Sequence, residues 1–235
     1  LDNRTDVNGF YPLTKGFDAF GARLGLMSAA EVSIDAQYFL MKPDNAGLVF
    51  AAEMLAAADR GVRVRFLLDD IFTSVEDIDL AMLDAHPNIE VRLFNPIARK
   101  GMYWINYVGH FSLANRRMHN KSFTVDNQVT LIGGRNIADE YFAAREDGKF
   151  ADVDVLGVGP VVGDVSRMFD QYWNHRYAVP VPVFADLPKD PDEALLQLRE
   201  RIKQAYDRVK TTRYAEALQN AVLDHLQRDI DALTW

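Results

Sequence analysis

Apolar and polar residues follow two alternating periodicities over the first 95 residues of the chain. Apolar positions recur every three to four residues in the predicted helices and mainly every second residue in the predicted strands. The predicted order is helix 14–30, strand 32–40, helix 44–60, strand 62–68, helix 76–85 and strand 89–94. Thr14 and either Asp44 or Asn45 are the expected helix caps, and Gly61 is the expected stop. This alternation predicts an α/β sandwich with right-handed crossovers.

The rest of the chain departs from this rhythm. Residues 1–12 are polar with a turn at Asn8, and 96–111 is irregular. The next predicted elements are strand 117–125, a hairpin at 126–127, strand 129–132 and a short helix after 136. They are followed by strand 152–158 and by helix 161–173, which Pro160 begins. The chain then has a proline-rich segment, 179–189, and two amphipathic helices from Asp190 or Asp192 onwards. We therefore expect an α/β fold with a mixed, mostly parallel sheet flanked by helices and a C-terminal helical extension. The expected division is a domain over residues 1–178 and a linker with helices over 179–235.

One stretch combines the residue types that hold a phosphate. The pattern His-x-Lys-x4-Asp-x6-Gly-Gly-x-Asn is formed by His119, Lys121, Asp126, Gly133, Gly134 and Asn136. Because strand side chains alternate between faces, His119 and Lys121 are expected to project together. The ammonium would neutralise phosphate charge, and the imidazole would attack phosphorus or move a proton. The two glycines would let backbone approach the ligand, and the asparagine would supply an amide donor.

The fixed spacing makes this pattern specific. Six fixed positions occur by chance about 10⁻⁸ times per starting point at ordinary residue frequencies. A histidine by itself is more often structural than catalytic, and we interpret His86, His110, His175 and His225 in that way. Asp126, at the hairpin end of its strand, is expected to support local structure.

Composition limits the classes of function. The chain has 235 residues, is 49% hydrophobic and has a formal net charge of −8, which fits one sizeable core with an appendage. Phosphate backbones select basic surfaces, so no nucleic-acid partner is expected, although basic residues gather near the motif. The absence of cysteine excludes disulfides and thiolate sites, and no apolar run is long enough to span a membrane. Because the chain begins at Leu1 without a signal-like region, we expect a piece of a longer product.

Carboxylates at predicted strand ends have two interpretations. Asp69 and Asp70 end a buried strand, where ligand sites of open α/β sheets lie. Together with Asp152 and Asp154, which alternate on a strand and can both face the motif, they would hold Mg²⁺ for phosphoryl transfer. The alternative for Asp69 and Asp70 is a strand-end turn and a loop cap.

Tyr103 and Trp104 belong to an aromatic segment, 102–107, flanked by basic residues. One interpretation is packing over the sheet. The other is a lip that contacts lipid, because Trp and Tyr favour the membrane interface. Under the second interpretation, Tyr103 and Trp104 are the lipid-facing residues.

The His-Lys-Asp motif resembles the signature of the phospholipase D superfamily. The wider stretches 115–123, 133–142, 59–70 and 151–160 are similar to bacterial cardiolipin synthases, in particular the C type. The resemblance covers roughly residues 9–177 and implies the N-terminal half of a phospholipase D-like fold.

The resemblance implies a mechanism with two copies of the motif. One histidine attacks phosphorus and forms a phosphohistidine, and the other protonates the leaving alcohol and deprotonates the incoming one. Lysines and asparagines hold the phosphate oxygens, and no metal or cofactor is required. The implied catalytic set is His119, Lys121, Asp126, Asn136 and Asp152, the last orienting the histidine. Gly133, Gly134, Arg135 and Arg117 are the expected substrate-binding residues.

The sequence contains one copy of the motif, and three explanations remain open. The chain is the first half of a two-motif enzyme, a single-motif homodimer, or a noncatalytic unit. The resemblance implies phosphatidyl transfer that makes cardiolipin from phosphatidylglycerol and phosphatidylethanolamine, at the inner-membrane surface of the bacterial envelope. Rival functions are a phospholipase D-type phosphodiesterase or nuclease, and a pure binding module.

Overall fold

The structure is a computed structural model that describes residues 6–71, 73–96, 117–142, 152–186 and 188–209. Its strands are β1 (Gly9–Leu13), β2 (Ser33–Tyr38), β3 (Arg63–Asp69), β4 (Ile89–Phe94), β5 (Ser122–Val125), β6 (Val129–Gly133), β7 (Asp154–Val158) and β8 (Ala178–Pro180). Its helices are α1 (Gly16–Ala29), α2 (Asn45–Asp59), α3 (Asp77–Asp84), α4 (Asp139–Phe142), α5 (Pro160–Trp173), α6 (Val181–Phe184) and α7 (Pro191–Val209).

The strands form one mixed sheet in the order β1-β7-β6-β5-β2-β3-β4-β8. Only the β2–β3 and β3–β4 pairs are parallel, and the other five pairs of described strands are antiparallel. The predicted α/β class with a mixed sheet is confirmed, but the expectation that the sheet is mostly parallel is wrong. Helical crossovers join the neighbouring strands β2, β3 and β4 and make these pairs parallel, whereas the β5–β6 hairpin turns the chain back and produces antiparallel pairs.

Helices cover both faces of the sheet. Ile34, Ala36 and Tyr38 of β2 belong to the main core, which also contains apolar residues of α1 and α2. A second, smaller core lies against α5 and includes Leu67 and Trp173. β2 is buried along its whole length, so its polar residues Asp35 and Gln37 are buried as well as its apolar ones.

Local sequence patterns predicted some ends of helices and strands correctly and others incorrectly. The Asp44 side chain caps α2 by accepting the Gly47 N–H at 3.1 Å, and Gly61 adopts φ +96° after the helix, as predicted. The predicted Thr14 cap is wrong, because the N-cap of α1 is Lys15 without a side-chain hydrogen bond. The polar segment 1–12 also contains β1, which the sequence did not predict. It pairs with β7 at the edge of the sheet, where the missing N–H of Pro12 is tolerated.

The last described helix packs onto the domain. The apolar side of α7 carries Leu198 and Ile202 into the main core, and Arg199 pairs with Asp59 of α2 at 2.7 Å. The expected boundary at 178–179 falls within β8, which pairs with β4. None of the described helices has the length and apolar character needed to cross a bilayer.

We predict that Leu198→Ala lowers the free energy of unfolding by about 2–5 kcal/mol, because it removes a buried side chain and leaves a cavity. Leu196, on the same helix, is 60% exposed, so Leu196→Ala should change the free energy by less than about 0.5 kcal/mol. Urea denaturation of both variants checks this pair. Equal midpoints for the two would contradict the packing of α7 on the sheet domain.

Candidate active site

The candidate site lies at one edge of the sheet, where five strands end or begin. The carboxyl ends of β2, β3 and β6 meet the amino ends of β5 and β7 there, because Gln37 pairs with Ser122, Ser122 with Ile132, and Gly133 with Asp154. Ligands of open α/β sheets bind beyond the carboxyl ends of the parallel strands. The topology therefore brings the motif to the expected edge.

His119 and Lys121 lie side by side at this edge. The motif segment becomes a strand only at Ser122, so both residues precede β5 rather than belonging to it. His119 is exposed, whereas Lys121 is only 6% exposed. The Lys121 Nζ donates to the His119 carbonyl oxygen at 2.8 Å. An accessible imidazole thus stands next to a largely buried ammonium.

Both groups have lowered pKa values. Desolvation lowers the pKa of Lys121 to about 8, and the charge of Asp152 opposes this effect. Desolvation also lowers the pKa of His119, followed by the charge of Lys121, again against Asp152. At neutral pH the imidazole is therefore mostly uncharged and able to act as a nucleophile, while the ammonium is mostly protonated.

Asp152 lies near both groups without a hydrogen bond to the imidazole in the part of the chain that the structure describes. Its charge acts on the pKa values of His119 and Lys121. A side chain at Gly134 would come within 2.5 Å of the Asp152 carboxylate. The role of Asp152 in orienting His119 stays a prediction.

Gly133 and Gly134 are required by the neighbouring strand. A Cβ at Gly133 would overlap the carboxylate of Asp154, and Gly134 donates its N–H to the Val153 carbonyl oxygen at 3.3 Å. Gly133 also donates to the Lys121 carbonyl oxygen at 3.3 Å. The glycines therefore let β6 pack closely against β7 beside the motif. Direct contact of these glycines with substrate stays a prediction.

Asn136 is held in a fixed orientation. Its Oδ1 accepts the Leu40 N–H at 3.2 Å, and its Nδ2 donates to the Tyr141 hydroxyl at 3.0 Å. These two contacts fix the orientation of the amide, with its oxygen toward Leu40 and its NH₂ group toward Tyr141. Tyr141 was part of the motif region, but its sequence position gave no signal of this contact.

Asp69 anchors the segment that carries the motif. Its fully buried carboxylate accepts the N–H of Met118 at 2.8 Å and of Ile71 at 3.0 Å, and it lies 3.3 Å from Nη1 of Arg117. Arg117 also donates to the Asn95 carbonyl oxygen at 3.1 Å. This geometry matches the strand-end and loop-cap interpretation of Asp69. A substrate contact of Arg117 stays a prediction.

Asp154 and Arg135 are buried in an ionic group behind the site. Asp154 is fully buried, 2.9 Å from Nη2 of Arg23 and 3.5 Å from Nη1 of Arg135. Arg135 donates to the carbonyl oxygens of Leu13 and Thr14 at 3.0 and 2.7 Å. At 4% exposure, Arg135 ties the end of β1 to the glycine turn. The structure thus gives Arg135 a structural position, and its substrate role stays a prediction.

The four carboxylates considered for magnesium do not meet. Asp69 accepts backbone N–H groups, and Asp154 faces two guanidinium groups. Within the described ranges, no three acidic, histidine or cysteine side chains form a group that could hold a metal ion. Tyr103 and Trp104, the expected lipid-facing residues, lie outside the described residues.

Asp126 lies at the opposite end of β5 from the imidazole. Strand geometry separates it from Lys121 by about 16 Å. Its carboxylate accepts the N–H groups of Glu31, Val32 and Ser33 at 2.9, 2.8 and 2.7 Å. The family resemblance grouped Asp126 with the catalytic residues, but the structure does not bring it to His119. It holds the start of β2, as expected from its position at the hairpin end of the strand.

Comparisons with known proteins identify relatives of this chain. The family model described as "Cardiolipin synthase, PLD-like domain" matches residues 24–173. The chain is 43% identical to cardiolipin synthase C of Escherichia coli strain K12 over 231 residues, which are 97% of this chain and 48% of that protein. The chain therefore spans about half the length of this relative.

Solved structures share the fold at low sequence identity. NucT from Helicobacter pylori has a TM-score of 0.54 and 17% identity, covering 74% of this chain and 98% of that one. The phospholipase D family member Nuc from Salmonella typhimurium has a TM-score of 0.51 at the same identity and coverage. These likenesses concern the fold alone.

We predict that Asp126→Ala lowers the free energy of unfolding by about 1–3 kcal/mol at neutral pH, because three backbone donors lose their acceptor. Burial raises the pKa of Asp126, but the three backbone hydrogen bonds outweigh it and hold the pKa below its ordinary value. The stabilisation is therefore complete above the unfolded pKa, about 3.9, and is lost as the pH falls through the folded value. Thermal unfolding from pH 7 to 2 measures this loss.

The control for Asp126→Ala is Asp164→Ala, which removes an exposed carboxylate that pairs with Arg167. That variant should keep the wild-type melting temperature within a degree or two, since exposed ion pairs contribute little. Similar losses in both variants would contradict the anchoring role of Asp126.

We predict that sulfate binding at the site weakens about tenfold as the pH rises through about 8, because the Lys121 ammonium loses its charge. Sulfate keeps its own charge in this pH range, so a change in affinity reports a change in the charge of the protein. Lys121→Met should bind weakly at every pH, and Lys203→Met, at an exposed lysine of α7, should keep the wild-type profile. Calorimetric titration measures the affinities, and a pH dependence that survives in Lys121→Met would exclude this assignment.

Proposed function

Because this chain belongs to the cardiolipin synthase family of phospholipase D-like proteins, we propose that it supplies one half of a phosphatidyl-transfer site. The observation that carries the proposal is the pairing of an exposed, mostly neutral His119 with the charged Lys121 at an open sheet edge. A nucleophile and a phosphate-binding cation in one place are what attack on a phosphodiester needs.

In the first step, an imidazole nitrogen of His119 attacks the phosphorus of a phospholipid. The phosphorus–oxygen bond to the headgroup breaks, and the leaving oxygen takes a proton from a general acid. Lys121 and the amide of Asn136 stabilise the negative charge that develops on the phosphoryl oxygens. The product of this step is a phosphatidyl group bound covalently to His119.

In the second step, the hydroxyl of another phospholipid gives its proton to the same acid–base group and attacks phosphorus. The bond to His119 breaks, and the imidazole returns to its starting state. With phosphatidylethanolamine as donor and phosphatidylglycerol as acceptor, the product is cardiolipin. Asp152 stabilises the positive charge that the His119 ring carries while it is bound to phosphorus, since the carboxylate favours the cationic form of the ring.

A second His-Lys-Asp half completes the site in this proposal. We assign the general acid to that half, because the other two described histidines have different neighbours: His86 contacts Asp59, and His175 contacts Phe94 and Tyr177. The match to about half of a longer relative supports a partner half within one gene product. A homodimer of single-motif chains, which the fold of small phospholipase D members also permits, is the alternative arrangement.

The proposed substrates require contact with a membrane surface. We propose peripheral binding at the inner membrane of a bacterial envelope, with Tyr103 and Trp104 reaching the lipid interface. The net charge of −8 does not favour a nucleic-acid substrate.

We predict that His119→Asn abolishes covalent capture of the phosphatidyl group. The experiment uses this chain joined to or mixed with its second half, mixed micelles of phosphatidylglycerol and phosphatidylethanolamine with ³²P label, and acid-labile label on the protein as the readout. Wild-type protein should carry label on His119, and the variant should carry none while keeping its melting temperature.

His175→Asn is the matched control, because His175 is also exposed and its ring contacts Phe94 and Tyr177. It should be labelled like the wild-type protein. Label that persists in His119→Asn, or cleavage of DNA in place of lipid transfer, would overturn the proposal.

A further inference from the structure

The ring of Phe39 contacts both reactive groups of the site. Its centroid lies 4.7 Å from the His119 ring centroid, with a 55° angle between the planes, and 5.0 Å from Nζ of Lys121. Phe39 follows the last residue of β2 and is half-buried. It is the aromatic side chain that joins the imidazole and the ammonium in one contact group.

The contact is made just beyond the paired ends of two strands. The β2–β5 pairing stops at Gln37 and Ser122, so Phe39, His119 and Lys121 all lie past it. A continued strand register would put Phe39 and His119 on opposite faces, because side chains alternate between faces along a strand. The contact therefore depends on the departure of both segments from strand geometry at this edge of the sheet.

The ring also meets an electrostatic need. In the part of the chain that the structure describes, no carboxylate lies within ion-pairing distance of Lys121, whose hydrogen bond goes to the neutral His119 carbonyl. An aromatic face attracts an ammonium through its quadrupole without cancelling its charge. A carboxylate at the same place would stabilise the cation and also repel a phosphate.

We propose that Phe39 is a positioning residue whose ring holds the His119 imidazole and the Lys121 ammonium toward one phosphoryl group. The phosphoryl part of this statement rests on the proposed function. The arrangement of the three side chains does not rest on that function, and it is tested without any lipid.

The test compares Phe39→Leu with Phe39→Tyr. Leucine removes the aromatic face but stays apolar, and tyrosine keeps the face, so tyrosine should restore what leucine loses. Lysine ¹³Cε resonances in NMR give the pKa of Lys121, and calorimetry gives the sulfate affinity. In Phe39→Leu the pKa of Lys121 should fall by about 0.5 from its wild-type value, and sulfate should bind about threefold more weakly at pH 7.

Phe10→Leu is the matched control, since Phe10 lies on the edge strand β1 and is 37% exposed. It should leave the pKa of Lys121 and the sulfate affinity unchanged. Nuclear Overhauser contacts from the Phe39 ring to the Lys121 Hε and to the His119 ring in wild-type protein test the arrangement even if the leucine variant does not fold.

Three outcomes overturn the inference: absent Overhauser contacts, an unchanged Lys121 pKa and sulfate affinity in a folded Phe39→Leu, or an equal loss in Phe39→Tyr. The titrations use no phospholipid and no second half. Failure of the phosphohistidine to form would therefore count against the proposed function, and the measurements on the Phe39 variants would still stand.

Discussion

The site depends on a lysine ammonium kept charged while it is mostly removed from water. Lys121 is 6% exposed, and burial lowers its pKa to about 8, close to the limit at which it would lose its proton at neutral pH. Its near neighbours are the carbonyl oxygen of His119 and the face of Phe39, both of which stabilise a cation without neutralising it. The charge therefore remains available to a phosphate.

Rigid anchors around the site hold this arrangement. The buried carboxylate of Asp69 fixes the backbone of Met118, one residue before the imidazole. Asp154 holds the opposite side through two guanidinium groups, and the glycine turn 133–134 fits against it without side chains. Acidic groups that could have bound a metal thus serve to position main chain. The imidazole itself remains exposed, as the proposed attack on a lipid phosphate requires.

Local patterns along the chain are sufficient to predict most of the helices and strands and the pairing of His119 with Lys121. The helix cap at Asp44 and the left-handed stop at Gly61 depend on local conformational preferences, which a sequence carries directly. The spacing of His119 and Lys121 is local as well, since two side chains two residues apart stay near each other in any extended segment. The α/β class and the family resemblance follow from such local patterns.

The residues that surround this pair depend on how the whole chain folds. Asp126, Asp152 and Asp154 are the same residue type, but the pairing of β5, β6 and β7 places them in different surroundings. Asp126 lies at the far edge of the sheet, Asp152 lies beside Lys121, and Asp154 lies in a buried ionic group. Phe39 carried no signal, because its contacts join residues about eighty positions apart in the chain. Whether neighbouring strands run parallel or antiparallel likewise depends on pairing between strands that are distant in the sequence. Contacts between distant segments arise from packing of the whole chain, which local preferences do not specify.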